Sequence, residues 1–354
     1  MTSATTTAAP PKKRGRGGST LWRYLLVRFL LIFPTVFILV TMVFVLMRIT
    51  GDPITVALGG KLPPDQLQER IHSAGYDRPI IVQYLEYLGN IFTGNFGNSI
   101  TDGHPITELL VTHGTATLEL AFYALIVAFV VGIPLGMVAA YFRDKWPDAA
   151  LRVFAILAYA TPVFFAGLLL KLVFAVWLKV LPVAGRASTR TEIDLKDGTG
   201  IYLIDAIRTG DGHVIGDVLA HAVLPGLALG LLTAGIFLRL VRTNVIGTLS
   251  RDYVDAARSR GVKEIRLVRK HALKPALIPI ITVIGLQIAV LLGGAVLTET
   301  TFEWKGLGFE LAYYLSKRDF VAVQGIVALL AVIVALTNFI VDIVAAIIDP
   351  RVRY

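Results

Sequence analysis

The chain has 354 residues, of which 55% are hydrophobic and 17% charged, with a formal net charge of +9. A soluble domain of this length needs more polar surface to cover its core, whereas apolar runs of roughly 20 residues are what cross a hydrocarbon layer. The absence of cysteine excludes disulfides, thiolate nucleophiles and cysteine-bound metals.

The first residues are rich in Thr, Pro, Gly and basic side chains, which predicts a disordered cytoplasmic tail over 1–23. The apolar run that follows far exceeds the ~7–15-residue core of a signal peptide, and its exit "MRITGDP" lacks a small-x-small cleavage site. It reads as a retained first span over 24–48. Further apolar runs predict spans over 115–141, 150–180, 223–245, 277–299 and 323–348. Pro162 lies inside the third and predicts a kinked or tilted helix there. The fold class is therefore an all-α polytopic membrane protein with six transmembrane helices.

Basic residues decide the orientation. With the N-terminus inside, the cytoplasmic pieces hold Lys12, Lys13, Arg14, Arg16 and Arg23, then Arg143 and Lys145, then the cluster from Arg251 to Lys274, and finally Arg351 and Arg353 in a C-terminus over 349–354. The other side holds Asp52, Asp65, Glu69, Asp77, Glu86, Asp102 and Glu108 against Lys61, Arg70 and Arg78. The positive-inside rule then gives N-in and C-in.

Two external segments, 49–114 and 181–221, are longer than simple connectors. In the first, "PPDQLQERIHSAG" predicts a helix that starts at prolines and stops at Gly75. The next stretch, "DRPIIVQYLEYLGNIF", predicts a helix with Ile81, Tyr84, Leu85, Leu88 and Phe92 along one face. Such a helix lies on the membrane or against the spans, and it can also serve as a platform for an extracytoplasmic partner.

Catalytic patterns do not emerge. The histidines show no H-x-x-x-H or H-E-x-x-H spacing, and no G-x-S-x-G or S-x-x-K constellation stands out. "LGGKL" lacks the first glycine of a phosphate-binding loop, and the Gly-Leu-Gly at 306–308 reads as a turn. Lys171, Glu119, Arg239 and Asp342 lie close enough to span ends for structural or interfacial roles rather than a proton relay.

The segment "DYVDAARSRGVKEIRLVRKHALKPALIP" is different. Read as helix, Tyr253, Ala256, Ala257 and Arg260 share a face, and Asp252 and Asp255 favour its N-terminal end. Adjacent alanines let a partner surface approach closely. Gly261 permits a sharp bend, and Val262, Ile265, Val268 and Ala272 make one side of a second helix. Pro275 and Pro279 lead into the fifth span. From periodicity alone this is either a lever acting on the attached spans or a basic pair of helices held by anionic lipid.

"DAARSRG" with the run to "HALKPALIP" resembles the cytoplasmic E-A-A-x-x-x-G loop of bacterial ABC-importer permeases. "RITGDP", "YATPVFFAGLLL", "LPVAGR", "LTETTFEWKGLGFEL", "RDFVAVQG" and "DPRVRY" are similar, in order, to the B-type permeases of dipeptide, oligopeptide and nickel uptake. The resemblance implies a type I importer fold, with a core over 115–348 and a coupling loop over 246–276 that sits in a cleft on an ATPase. Tyr253, Asp255, Ala256, Ala257, Arg258 and Gly261 would then be the ATPase-coupling residues. Asp255 stands where Glu is usual, and Lys305 where a proline commonly precedes Gly-Leu-Gly.

It further implies a bacterial inner-membrane location and no catalysis in this chain, with ATP and Mg bound by two cytoplasmic ATPase subunits. A second homologous permease, an extracytoplasmic binding protein and membrane lipid complete the expected partners; nucleic acid is not among them. The competing class is a stand-alone secondary transporter or channel.

Overall fold

The computed structural model describes residues 17–348, so the sixteen residues before them and the C-terminal 349–354 lie outside the described part. Helices make up nearly all of its regular structure, and the one β-pairing among the described residues is an isolated bridge between Asn98 and Pro105. Helix α1 (Gly17–Leu30) begins inside the segment expected as tail, and α2 (Ile32–Ile49) follows after a single irregular residue, Leu31.

Three short helices build the segment beyond the first span. These are α3 (Pro53–Leu58), capped by Asp52 accepting from the Thr55 N–H at 2.7 Å, α4 (Pro64–Ser73) and α5 (Ile80–Thr93). Proline at the first helical position costs no hydrogen bond, because that N–H has no intrahelical partner. On α5 the expected apolar face divides. Tyr84 and Tyr87 pack on Phe44, with ring centroids 5.2 and 5.4 Å away, whereas Ile81, Leu85 and Phe92 are exposed. Periodicity marks an apolar face but not whether protein or hydrocarbon is to cover it.

Helix α6 (Ile106–Tyr141) starts nine residues before its predicted span. Next come α7 (Trp146–Ala160) and α8 (Val163–Leu170), the latter running into a π-helical turn over Lys171–Trp177. These two were expected as one kinked span over 150–180. They are instead bent by 107° at Thr161–Pro162. Pro162 has no N–H to donate, and it pushes Thr161 into an extended conformation (ψ 126°), so the ladder stops there.

Short α9 (Thr189–Asp194) and α10 (Tyr202–Thr209) precede α11 (Gly212–Leu249). Then follow α12 (Asp252–Ser259), α13 (Glu264–Arg266) with a π-helical turn over Leu267–Ala272, and α14 (Leu273–Phe302). The chain closes with α15 (Leu307–Ser316) and α16 (Phe320–Ile348). Trp22–Ile49, α6, α11 and α16 are long and apolar enough to cross a membrane, and the broken α7–α8 pair adds a fifth crossing if taken as one. The 30-residue α14 coincides with the remaining predicted span.

Helices α6 and α11 run parallel through the centre, joined by glycines. A Cβ on Gly136 would lie 2.7 Å from the Val241 Cβ, and one on Gly230 would lie 2.6 Å from the Ala124 carbonyl oxygen. Gly132 with Gly136, and Gly226 with Gly230, form Gly-x-x-x-Gly pairs that let the backbones approach, which is how helices associate where hydrocarbon removes the hydrophobic driving force. Helix α14 runs antiparallel to α11. Ala276 and Ile280 join Val241 and Val245 at one end, and Leu291 and Ala295 join Leu229 and Leu120 at the other. Helices α15 and α16 cover the start of α6 through Leu307, Tyr314, Val323 and Ile326 around Ile106.

Candidate functional site

Helix α12 sits where α11 ends and α14 begins, opposite the end that holds α15. Its N-terminal turn carries Asp252 and Asp255, favourable to the helix dipole. The C-terminus is a Schellman closure: the Val262 N–H donates to the Ala257 carbonyl (3.3 Å) and the Gly261 N–H to the Arg258 carbonyl (2.9 Å). Gly261 has φ +79°, a left-handed conformation that side chains resist. The chain then turns into α13. Helix, glycine bend and second helix are thus present where the sequence predicts them.

The expected coupling residues lie together on the outside of this turn. Asp255, Ala256 and Arg258 are exposed and Ala257 is partly so. Arg258 pairs with Asp255 and donates to Glu264 at 2.6 Å, which ties the first helix to the second. The Glu264 hydrogen bond raises the Arg258 pKa further, so this cation is permanent. Tyr253 is half exposed, with its hydroxyl 3.4 Å from the His271 carbonyl.

The inner side is anchored. Val254 and Leu267 are fully buried, and Val268 and Ala272 enter the cluster that contains Val245, Val241 and Phe237. The loop is therefore joined to α11 and α14 through close-packed side chains.

At the opposite end, carboxylates are buried and fully engaged. Glu119 accepts from the Arg186 Nη2 (2.5 Å), the Leu203 N–H (2.8 Å) and the Tyr123 hydroxyl (3.1 Å), and the Arg186 guanidinium lies 3.8 Å over the Tyr202 ring. Glu299 accepts from the Thr117 hydroxyl (2.7 Å) and the Phe309 N–H (2.8 Å). Asp319 accepts from Ser99 and the Thr101 N–H, both at 2.8 Å, and caps α16 through the Ala322 N–H. Nearer the α12 end, Asp148 holds Arg242 in a two-pronged pair at 2.5 and 2.7 Å.

The Gly-Leu-Gly turn now has a physical reason. A Cβ on Gly306 would lie 2.5 Å from the Glu299 Oε1, and one on Gly308 would lie 2.6 Å from the Val296 Cα, so the turn closes over the Glu299 carboxylate. Lys305 fits the turn without proline, its carbonyl accepting from His113 at 2.8 Å. Of the polar groups noted near span ends, Glu119 is internal rather than interfacial, and Lys171 donates to the Thr301 carbonyl at 2.8 Å. Asp342 meets Arg28 at 3.4 Å, and Arg239 lies 6.0 Å from the Tyr159 ring centroid. Glu299, Arg186, Asp148 and Asp319 were not legible as joints. The available signal was a lone charge at the edge of an apolar run beside small residues.

Stacked apolar helices of this length, with a polar helix–bend–helix at one end, define a multi-pass membrane protein. Residues 132–354 match the binding-protein-dependent transport system inner membrane component family, and residues 21–109 match the N-terminal region described for such membrane components. The chain belongs to this family and is a permease subunit. It is 38% identical over 326 residues to the di/tripeptide transport system permease protein DppB of Pseudomonas aeruginosa (strain UCBPP-PA14), covering 92% of this chain and 96% of that one. It is 38% identical over 338 residues to the dipeptide transport system permease protein DppB of Escherichia coli (strain K12), covering 94% and 99%. A glutathione transport system permease protein, GsiC of Salmonella choleraesuis (strain SC-B67), is 32% identical, with coverage of 94% and 99%. Among solved structures, the inward-facing MetNI methionine ABC transporter superposes with a TM-score of 0.50 at 17% identity, covering 70% of this chain and 99% of that one, so the fold is shared.

Proposed function

We propose that this permease imports di- or oligopeptides through a pathway shared with a second, homologous permease, N-in and C-in in the bacterial inner membrane. Two cytoplasmic ATPase chains, which bind the ATP and Mg, supply the work, and an extracytoplasmic binding protein delivers the solute. Helix α12 is the element that enters the ATPase cleft. The observation that carries this reading is its construction: an exposed face of Asp255, Ala256 and Ala257 on a helix whose other side, through Val254, is buried against the ends of two spans.

No covalent chemistry is asked of the chain. ATP binding would draw the two coupling helices together and so favour one arrangement of the spans, while hydrolysis would favour the other, the balance being set by contacts that differ between the two states. Peptides are the solute class supported by the names of the relatives. The buried carboxylates speak against a stand-alone ion-coupled carrier, since Glu119, Glu299 and Asp148 each hold structural donors.

Mild purification from native membranes tests this. A second permease and ATPase chains should accompany the protein, with ATP hydrolysis that rises when binding protein and peptide are added. A lone chain that conducts solute without ATP would overturn it. Docking of the binding protein on 181–221 is better probed by Asp194→Lys and Asp197→Lys than by deleting 195–200. Leu195 is buried, and the Gly200 carbonyl accepts from Arg186, so the deletion would also damage the fold.

A further inference from the structure

A cavity of about 210 Å³ lies between the end of α2, helix α5 and the start of α16. Transport as described above makes no use of it. Its wall holds Arg48, in the last turn of α2, which forms no ion pair among the described residues. The guanidinium stands 4.7 Å from the Tyr76 ring centroid and 5.4 Å from that of Phe44, and its buried Nε has no hydrogen-bond partner among the described residues. The nearby Asp52 carboxylate is turned to the Thr55 N–H.

Two further polar atoms in the wall are buried and unpartnered: the Tyr87 hydroxyl and the Gln83 Oε1. Gln83 is 8% exposed, and its amide orientation is determined, because Nε2 donates to the carbonyls of Tyr76 (3.0 Å) and Arg78 (2.6 Å). Burial raises the Tyr87 pKa, so its hydroxyl keeps its proton and can donate. An unmet buried polar atom is costly, and three around one cavity point to a molecule that meets them. Water could serve the two neutral groups, but the guanidinium calls for an anion. On the same wall Glu86 adds a carboxylate, bound at 2.5 Å to Arg78. The complementary molecule carries a negative group for Arg48 and an N–H or O–H donor for Gln83 and Glu86.

The surroundings identify the class. Outside the cavity, α2 exposes Met42, Val45 and Ile49, and α5 exposes Ile81 and Phe92. Arg48 closes a long apolar run, which places it at headgroup depth at the membrane surface. We infer that this cavity binds the headgroup of a phospholipid whose phosphate pairs with Arg48 and whose amine or hydroxyl donates to Gln83 and Glu86, with the acyl chains lying along α2 and α5. The inference holds whatever solute is transported.

The test uses the full chain with the subunits that accompany it. Native mass spectrometry reads retained lipid, and the shift in unfolding temperature is followed with short-chain phosphatidylethanolamine, phosphatidylcholine and inorganic phosphate. Phosphatidylethanolamine should be retained and raise the unfolding temperature, with phosphatidylcholine, whose methylated amine cannot donate, several-fold weaker. Arg48→Gln should weaken binding about tenfold by removing a charge-assisted contact. Tyr87→Phe, which deletes a hydroxyl without a hydrogen-bond partner among the described residues, should leave the fold intact and weaken binding by a few-fold. No retained phospholipid and no shift, or an Arg48→Gln protein that binds as tightly as the parent, would overturn the site. Inorganic phosphate binding as tightly as the lipid would overturn its assignment to a headgroup.

Discussion

The buried carboxylates at the α15 end of the helix bundle and the charges of the α12 loop are held in different ways. At the α15 end three carboxylates are buried and hydrogen-bonded inside the protein: Glu119 against Arg186, Glu299 under Gly306 and Gly308, and Asp319 at the start of α16. On the α12 loop itself the charges face outward and Arg258 joins Asp255 and Glu264 at the surface, while burial falls to Val254 and its neighbours, and the buried Asp148, paired with Arg242, lies behind it. Buried pairs are costly to break but add little net stability over an apolar replacement; their effect is to hold one geometry. Surface pairs contribute little either way and are easily exchanged for those of a partner. One end is tied by buried pairs, and the other presents its charges to the outside.

The comparison is broken most readily at the α15 end. Arg186→Ala leaves Glu119 buried without its cation and should cost about 3–5 kcal/mol, seen as lower yield and a lower unfolding temperature in detergent. An unchanged melting curve would mean that this end is looser than it is drawn here. In the shared centre, Gly136→Val should cost about 1–3 kcal/mol by forcing α6 away from Val241 and the Leu238 carbonyl.

At the α12 end the expected pattern reverses. Ala257→Trp should change stability by no more than about 0.5 kcal/mol, yet abolish ATP-driven uptake. Gly261→Pro, which cannot adopt φ +79° and removes the N–H that donates to the Arg258 carbonyl, should cost more local stability but likewise abolish uptake while the protein still inserts. Normal uptake by both variants would remove the coupling role from this loop.

The smallest effect is a pH dependence at the α15 end. Burial pushes the Asp102 pKa up, but hydrogen bonds from the His104 N–H and the Tyr314 hydroxyl help to outweigh it and hold it below the ordinary carboxylate value of about 3.9. A carboxyl with a lowered folded pKa contributes stability that is present above the unfolded value and is lost as the pH falls through the folded one. Asp102→Asn should therefore flatten the acid limb below about pH 4 and leave neutral pH nearly unaffected. An unaltered acid limb would show that this carboxylate carries no linkage.

Much of this was readable from residues alone. The positions of the apolar segments, the helices that begin at Pro64 and Ile80, and the helix–glycine–helix of the α12 loop all follow from local pattern. Hydropathy, proline and glycine act within a few residues of themselves. The break at Pro162 was marked but understated, because a proline announces a lost hydrogen bond and not the angle at which the neighbours settle. The covered side of α5 was not legible, since hydrocarbon and protein are equally good partners for an apolar face.

The sequence by itself determined that the chain crosses a membrane several times, where it turns, and that one loop is a charged, bent pair of helices, because these rest on composition and short-range spacing. Tertiary structure alone decided which charges meet. Arg186 reaches Glu119 across 67 residues, Thr117 reaches Glu299 across 182, and Ser99 reaches Asp319 across 220. Such pairs exist only in the packed arrangement of α6, α11 and α14, since close packing excludes water and brings remote side chains to hydrogen-bonding distance.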